Sequence, residues 1–460
     1  MRAMVSNTMT PPGPQTRWWG LPLLRDMKAD YIGFTAGLRR YGDMTLIRLG
    51  AERGYDLFTP ELVRAAMVDH ADDLVRWQRG IEVLEQLMGQ SLLVTEGAAW
   101  QRQRRMLQPA FTPRRVAGYA EAMVEAAQGV LDRALPAGQG SGLVDMDQLF
   151  TPLAMDVILR VLFSSRAPED SAQAAQAVQW LSENALREMF WPVTLPDWLP
   201  LPGKRSKRRA LRLMRELVGG HIAARRAETG GDAPEDLLGM LLALRDEETG
   251  HPLSAAEIFD QCMVTFQAGH ETSATALLWW SRLMAGHPEA CARAQAELDQ
   301  ALAGRTPRAE DLHALPWLTA TLKEALRLYP PIAAVLTRRT TRAIEIGGHV
   351  LPRGALLRIT PWVLQRDPRS FDEPEQFRPE RFLPDAPPPP RGAWMPFGTG
   401  PRVCLGQHFA MLEMTLVAAL LLQRYRLALP PGGGTPMDAV LKVTLRPRYP
   451  VVLQLQRRAP

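Results

Sequence analysis

One cysteine in this chain sits where chemistry is possible. In "FGTGPRVCLGQHFA", Phe397 to Ala410, Cys404 follows Gly398, Gly400 and Arg402 and precedes Gly406, at the start of a strongly helical run. A helix N-terminus offers unpaired N–H groups and partial positive charge, which favour thiolate over thiol and suit the sulfur to a metal. The glycines remove side chains on both sides and let a flat, bulky group approach the backbone. Arg402 is placed to hold a carboxylate of such a group. A soft anionic sulfur, a flat neighbour and a cation for an acidic substituent together describe haem on a thiolate. Two blander readings compete: an inert buried cysteine at a helix start, and a phosphate-cradling loop, although no G-x-x-x-x-G-K-[ST] is present.

Other segments bear on the choice. "LKEALRLYPP" sets Glu324 and Arg327 three apart, on one helix face. That spacing alone is weak, because Glu375 and Arg378 of "EQFR" repeat it and a solvated helix pair would satisfy it. "AGHETS" puts Ala268, Gly269, Glu271, Thr272 and Ser273 inside a long apolar helix. Hydroxyls there compete for carbonyls one turn earlier, and an acid there needs a reason. A packed core threonine is the plain reading of Thr272. "WQRQRR" places Trp100 and Arg104 one turn apart, which could equally be an ordinary basic helix face.

The spacing F-x-x-G-x-R-x-C-x-G, anchored on Phe397, resembles the haem-binding loop of the cytochrome P450 superfamily, and the family's other parts follow in order across residues 30–455. The resemblance implies a mainly α fold, a large helical body with a small antiparallel β-sheet region. It implies haem b bound through Cys404, with Phe397, Gly398, Gly400, Arg402 and Gly406 in the loop. Trp100, Arg104, Arg402 and Arg338 would hold the haem propionates, with Arg339 adjacent to the last. Ala268 and Gly269 would leave room at the oxygen-binding groove, Thr272 would bond dioxygen or its water, and Glu271 would relay protons. Glu324, Arg327 and Arg381 would form a structural clamp. The family often has histidine where this chain has Gln365.

The implied reaction is monooxygenation: one atom of O2 enters a C–H bond or a double bond of a lipophilic molecule, of fatty-acid, terpenoid, steroid or polyketide class. The forms "AGHET" and "LGQHFA" lean towards fatty-acid hydroxylation. Apolar stretches around 77–94, 190–203, Phe266, 331–336 and Thr444–Leu445 would line the pocket. Electrons would come from a separate ferredoxin or flavodoxin, docking on a basic surface of Arg102, Arg105, Arg114 and Arg115. A peroxide-driven peroxygenase and a non-enzymatic haem sensor are the rival readings. Glu271 and Thr272 speak against the first, and the lack of length for an output module against the second.

The rest of the chain must position these groups. At 460 residues, 46% hydrophobic and 22% charged, with a net charge of +5, it has the composition of an ordinary globular protein with ample core. Arginines are spread along it with no nucleic-acid signature. Three cysteines, an odd count without C-x-x-C spacing, speak against a disulfide framework or a structural zinc site and fit a reducing, cytoplasmic setting. No stretch of about 18 apolar residues is present to span a membrane, and the N-terminus lacks a signal-peptide core. A Pro-rich segment, 1–29, precedes a single domain, 30–460, expected to be monomeric. Helical periodicity marks 117–135, 209–228, 255–286 and 415–425. Breaks fall at 136–142, 229–236, 385–390 and 430–434. Strand signals are a hairpin turning near Gly50–Gly54, a second at Gly347–Gly348, and a closing pair in 443–458.

Overall fold

In the computed structural model the described residues are 10–136, 138–165, 171–190, 196–199, 201–227, 236–334 and 336–458. Parts of the break at 229–236 and of the pocket stretches 190–203 and 331–336 lie outside them. Contacts divide the chain into two compact units. One gathers Met1–Ile81, Arg327–Gln376 and Pro387–Cys404; the other gathers Glu82–Leu326, Phe377–Ala386 and Leu405–Pro460.

The first unit is built on the alternating stretch after residue 43. Met44–Leu49 and Glu52–Leu57 form the expected hairpin about Gly50. Glu52–Leu57 then pairs in parallel with Leu356–Ile359, which pairs antiparallel with Leu336–Thr340, itself joined to Leu74–Arg76. The largest sheet is therefore five-stranded and mixed. Ile344–Ile346 and His349–Leu351 form the second hairpin. Its two glycines have φ of +58° and +76°, the left-handed pair that a tight two-residue turn requires. Leu46, Leu57, Leu357, Ile359, Met67 and Met395 share one buried cluster. A bidentate ion pair, Arg358 with Asp56, is enclosed in the same unit, Nη2 to Oδ2 at 2.7 Å. The Pro-rich segment is not separate from residue 10 onward: Leu46 N–H donates to the Pro12 carbonyl and Gly50 N–H to that of Trp19.

The second unit is helical. Its longest helix, Ala255–Gly286, matches the expected limits. Ser254 and Glu257 close a capping box at its start, and Pro288 opens the next helix just beyond its end. Apolar residues almost all round bury it, and it packs along Met146–Phe163. Trp279 and Trp280 anchor it by indole donation to the Leu445 carbonyl at 2.7 Å and the Thr321 hydroxyl at 2.9 Å. The expected helices at 117–135, 209–228 and 415–425 appear as Ala120–Leu131, Pro202–Ala227 and Gln407–Arg424.

The closing pair in 443–458 does not form. Leu445–Pro447 pairs with Ala439–Leu441, whereas Val452–Arg457 pairs with Tyr425–Ala428 and Ser141–Asp145. Arg448–Val451, with Pro450 unable to donate, separates the two strands, and each takes a different partner. Ser141–Asp145 also converts the end of the break at 136–142 into an edge strand. Among the described residues no helix is long and apolar enough to cross a membrane.

Candidate active site

The cysteine loop belongs to the first unit. Gly398 N–H donates to the Met395 carbonyl at 3.0 Å, Gly400–Arg402 makes a single 3-10 turn, and Cys404 N–H closes the loop on the Phe397 carbonyl at 2.9 Å. Trp394 meets the Phe397 ring edge-on at 6.2 Å. Cys404 is exposed, whereas Cys262 and Cys291 are buried. Burial pushes the Cys262 thiol up to about 12, so that residue is an inert apolar filler. Cys404 does not open the helix, as its neighbours suggested. The helix runs Gln407–Arg424 with Gly406 as N-cap, which leaves the sulfur two residues upstream of the cap. The helix-end field fades within a turn, so its pull on this sulfur is weaker than expected.

The glycines of the loop serve different ends. Gly400 has φ +73°, and a Cβ there would lie 2.1 Å from the Met67 carbonyl oxygen, so the chain's own packing demands it. Cβ atoms built at Gly398 or Gly406 meet no protein atom within 4 Å. Gly398 is itself left-handed, with φ +77°, so its own backbone requires glycine; Gly406 is not, and the room left there answers to no contact of the chain, which fits a flat group lying against the backbone.

Gln365, the departure from the family pattern, is fully buried and bridges two segments. Its amide donates to the Arg327 carbonyl at 2.8 Å and accepts from Met395 N–H at 2.8 Å. Arg327, also fully buried, donates to the carbonyls of Gln365, Pro374 and Gln376. In the second unit Glu324 faces Arg381 Nε at 3.4 Å and takes Arg378 N–H at 2.9 Å. Glu375 of the chance "EQFR" match turns to Arg366 instead.

The helix Ala255–Gly286 carries an accessible stripe. Ala268 is exposed and Thr265, Gly269 and Thr272 are half-buried, while residues 261–264, 266, 267, 270, 271 and 273–281 are buried. Positions 265, 268, 269 and 272 fall on one face at helical spacing. Thr272 donates to the Ala268 carbonyl at 2.7 Å and Thr265 to that of Gln261, the back-bonding expected of mid-helix hydroxyls. Ser273 instead donates to Glu413 at 2.6 Å. A Cβ at Gly269 would lie 2.9 Å from Ile158 Cδ1, so this glycine also serves helix packing.

Glu271 points elsewhere than Thr272. It accepts from the hydroxyls of Ser182 at 2.5 Å and Thr444 at 2.7 Å. Burial raises its pKa, and those two hydroxyls and the charges of Arg446 and Lys442 oppose the rise. Sequence reading missed Ser182 altogether and took Thr444 for pocket lining; both partners are far along the chain from Glu271. Phe266 and Leu445 are completely buried, hence core and not pocket wall.

Trp100 and Arg104 lie one turn apart on Gly97–Leu107, both half-buried. Arg338 and Arg339 alternate along Leu336–Thr340, so they point to opposite faces. Arg339 pairs with Glu52 at 3.1 Å and donates to the Gly354 carbonyl, which separates its role from that of Arg338. The basic docking surface is corrected. Arg102 pairs with Glu257 and Asp246, and Arg105 with Asp246 and Glu248. Arg115 donates to Met240 Sδ, leaving Arg114 as the exposed member of the group.

A family model described as Cytochrome P450 matches residues 11–455. The chain is a cytochrome P450. It is 36% identical over 434 residues to Cyclooctatin synthase of Streptomyces melanosporofaciens, covering 91% of this chain and 92% of that one. It is 35% identical to Cyclooctat-9-en-7-ol 5-monooxygenase of the same organism (87% and 86% covered), and 33% identical to Pentalenene oxygenase of Streptomyces avermitilis (93% of each). As a P450 it is an oxidoreductase of monooxygenase type, and the mainly α fold with small sheets agrees with the family. The family implies haem, and the residues present fit that group: an exposed cysteine in a hydrogen-bonded loop, a glycine, Gly406, whose missing side chain leaves open space, and the cationic, half-buried Arg402 two residues before the cysteine.

Proposed function

We propose that this P450 is a haem-thiolate monooxygenase that inserts one oxygen atom of O2 into a terpenoid alkene or alcohol, with electrons from a separate ferredoxin or flavodoxin. The observation that carries the reading is the exposed sulfur of Cys404, held by its own N–H on the Phe397 carbonyl, in a chain whose other cysteines are buried. Cys404 would ligate the iron of haem b, and Arg402, Arg338, Trp100 and Arg104 would hold the propionates. Bound there, haem supplies dioxygen binding and O–O cleavage assisted by thiolate electron donation.

The chain's own residues position and protonate. The Thr272 hydroxyl, parked on the Ala268 carbonyl, lies on the accessible stripe and would turn to bond oxygen or its water. Glu271 keeps its proton to higher pH than a surface carboxyl, and Ser182 and Thr444 offer hydroxyls through which that proton moves. Lys442 and Glu183, paired and a third exposed, lead from Ser182's neighbour towards solvent.

Of the lipophilic classes expected from the sequence, the terpenoid one is favoured by relatives named for pentalenene and for cyclooctat-9-en-7-ol. The lean towards fatty acids has no counterpart among those three names. The test is optical. The purified protein, reduced and treated with carbon monoxide, is expected to show the strongly red-shifted Soret band of thiolate ligation, and Cys404→Ser to lose it. A screen of polycyclic alkenes and alkenols should then displace the iron-bound water and shift the ferric spectrum. A globin-like band in the parent protein overturns the ligation; a response to fatty acids and none to terpenoids overturns the substrate class.

A further inference from the structure

Trp18 and Trp19 are the two most exposed large apolar side chains among the described residues, at 80% and 82%; Leu21, at 63%, adjoins them in sequence, and Trp198, at 74%, belongs to the other unit. Their backbone is held in place. Gly20 N–H donates to the Arg17 carbonyl at 2.9 Å, and Gly50 N–H, at the turn of the first hairpin, donates to the Trp19 carbonyl at 2.7 Å. Gly20 itself is buried, with φ +82°, so close to the hairpin that a Cβ would lie 2.4 Å from the Arg48 carbonyl oxygen. Both tryptophans are left-handed, with φ of 49° and 57°. That conformation is unfavourable for a bulky side chain, and glycine or asparagine would make the same turn more easily. A fixed, strained backbone that turns two indoles into solvent calls for a counterpart outside the chain.

Charge indicates which counterpart. Arg17, Lys28, Arg48 and Arg53 are exposed and form no ion pair among the described residues. Arg48 and Arg53 stand directly opposite one another in the hairpin, where like charges repel. The nearby acids are already engaged: Asp26 with Arg25 at 3.4 Å, Asp30 capping Gly33 N–H at 2.9 Å, and Glu52 with Arg339 at 3.1 Å. Indole suits the boundary between hydrocarbon and water, and unpaired arginines suit phosphate head groups.

We propose that Trp18, Trp19 and Leu21, with Arg17, Arg48 and Arg53, form a peripheral docking site for the surface of an anionic lipid bilayer. The segment lies on the membrane and does not span it. Such a surface is also where a lipophilic substrate partitions, although the docking site stands independently of the substrate proposed above.

The full-length protein is mixed with dense vesicles of phosphatidylcholine, alone or with phosphatidylglycerol, and pelleted. The parent protein is expected to sediment with the anionic vesicles, less so at high salt, and its tryptophan fluorescence to be quenched by brominated lipid. The double variant Trp18→Ala/Trp19→Ala should partition about tenfold less and lose the quenching, for want of two indoles to bury. Arg48→Glu/Arg53→Glu should lose the preference for anionic vesicles. Far-UV circular dichroism and thermal unfolding matching the parent separate lost binding from lost folding. The proposal fails if the tryptophan variant pellets as the parent does, or if neither sediments. It also fails if the patch instead joins two copies of the chain, seen as a dimer in sedimentation velocity that the tryptophan variant splits.

Discussion

Replacing Glu413 by glutamine should stabilise this protein increasingly as pH rises. Glu413 sits in the helix Gln407–Arg424, 1% exposed, and takes the Ser273 hydroxyl at 2.6 Å on one oxygen. Its other oxygen has no hydrogen-bond partner among the described residues. Burial pushes its pKa up to about 8 from 4.5, and the Ser273 hydrogen bond offsets only part of this. The folded chain therefore keeps a proton that the unfolded chain releases near pH 4.5. A raised carboxyl pKa contributes its full stability below the unfolded value and loses it as pH climbs towards the folded one. At about 1.4 kcal/mol per pH unit, the loss by pH 7 is about 3 kcal/mol, and between pH 5 and 7 it grows by 2–3 kcal/mol. Glutamine has the same shape and does not titrate, so the variant escapes this loss, less the cost of any amide hydrogen left unbonded. Urea unfolding of parent and variant, side by side at pH 5, 6, 7 and 8 in one ligation state, reads the difference. The gap should widen from pH 5 to 7 and level off above pH 8. A gap that stays flat across that range would mean that Glu413 titrates alike folded and unfolded, and that its burial in the fold is without consequence for its proton.

Gln365→Ala leaves the Arg327 carbonyl and Met395 N–H buried without their bonds, at about 1–3 kcal/mol each, visible as a lower urea midpoint and reduced haem content on purification. Gly400→Ala drives a Cβ into the Met67 carbonyl at a left-handed φ; it should cost ~2 kcal/mol or more and weaken the Cys404 loop, whereas Gly406→Ala, with open space, should leave stability near the parent and lower haem affinity. Glu324→Ala strips Arg381 of its carboxylate inside the protein and should destabilise by about 3–5 kcal/mol, measured by denaturant unfolding. Ser182→Ala removes one of the hydroxyls that favour the charged form of Glu271, so the limb of the pH–turnover profile governed by that acid should move to higher pH; an unmoved profile would separate Glu271 from proton delivery.

What could be read from the sequence was local, and what could not was a matter of pairing across the chain. The helix Ala255–Gly286 was legible because its apolar pattern, its Ser254–Glu257 cap and Pro288 all act within a few residues of its ends. The Gly50 and Gly347–Gly348 turns were legible for the same reason, since a left-handed turn selects its residues directly. The start of the helix after Cys404 was misplaced because Gly406 caps it without a side chain, so no residue type marks the boundary. Arg102 and Arg105 read as a basic face because Asp246, Glu248 and Glu257, which neutralise them, are more than 140 residues away. Ser182 and Thr444 approach Glu271 across 89 and 173 residues, and no periodicity in "AGHETS" announces either hydroxyl.

The same contrast explains why acid and alcohol, adjacent in the sequence, separate in the structure. Neighbours on a helix point about 100° apart, so Thr272 can share the accessible face with Ala268 only if Glu271 is turned into the packed side. There a bare carboxylate would be intolerable, and the two imported hydroxyls offset part of the cost of its burial. An acid whose pKa burial raises holds its proton to higher pH than an exposed glutamate does, and the hydroxyls bonded to it offer that proton a route. The burial that hid its partners from the sequence is thus the physical source of the chemistry proposed for it.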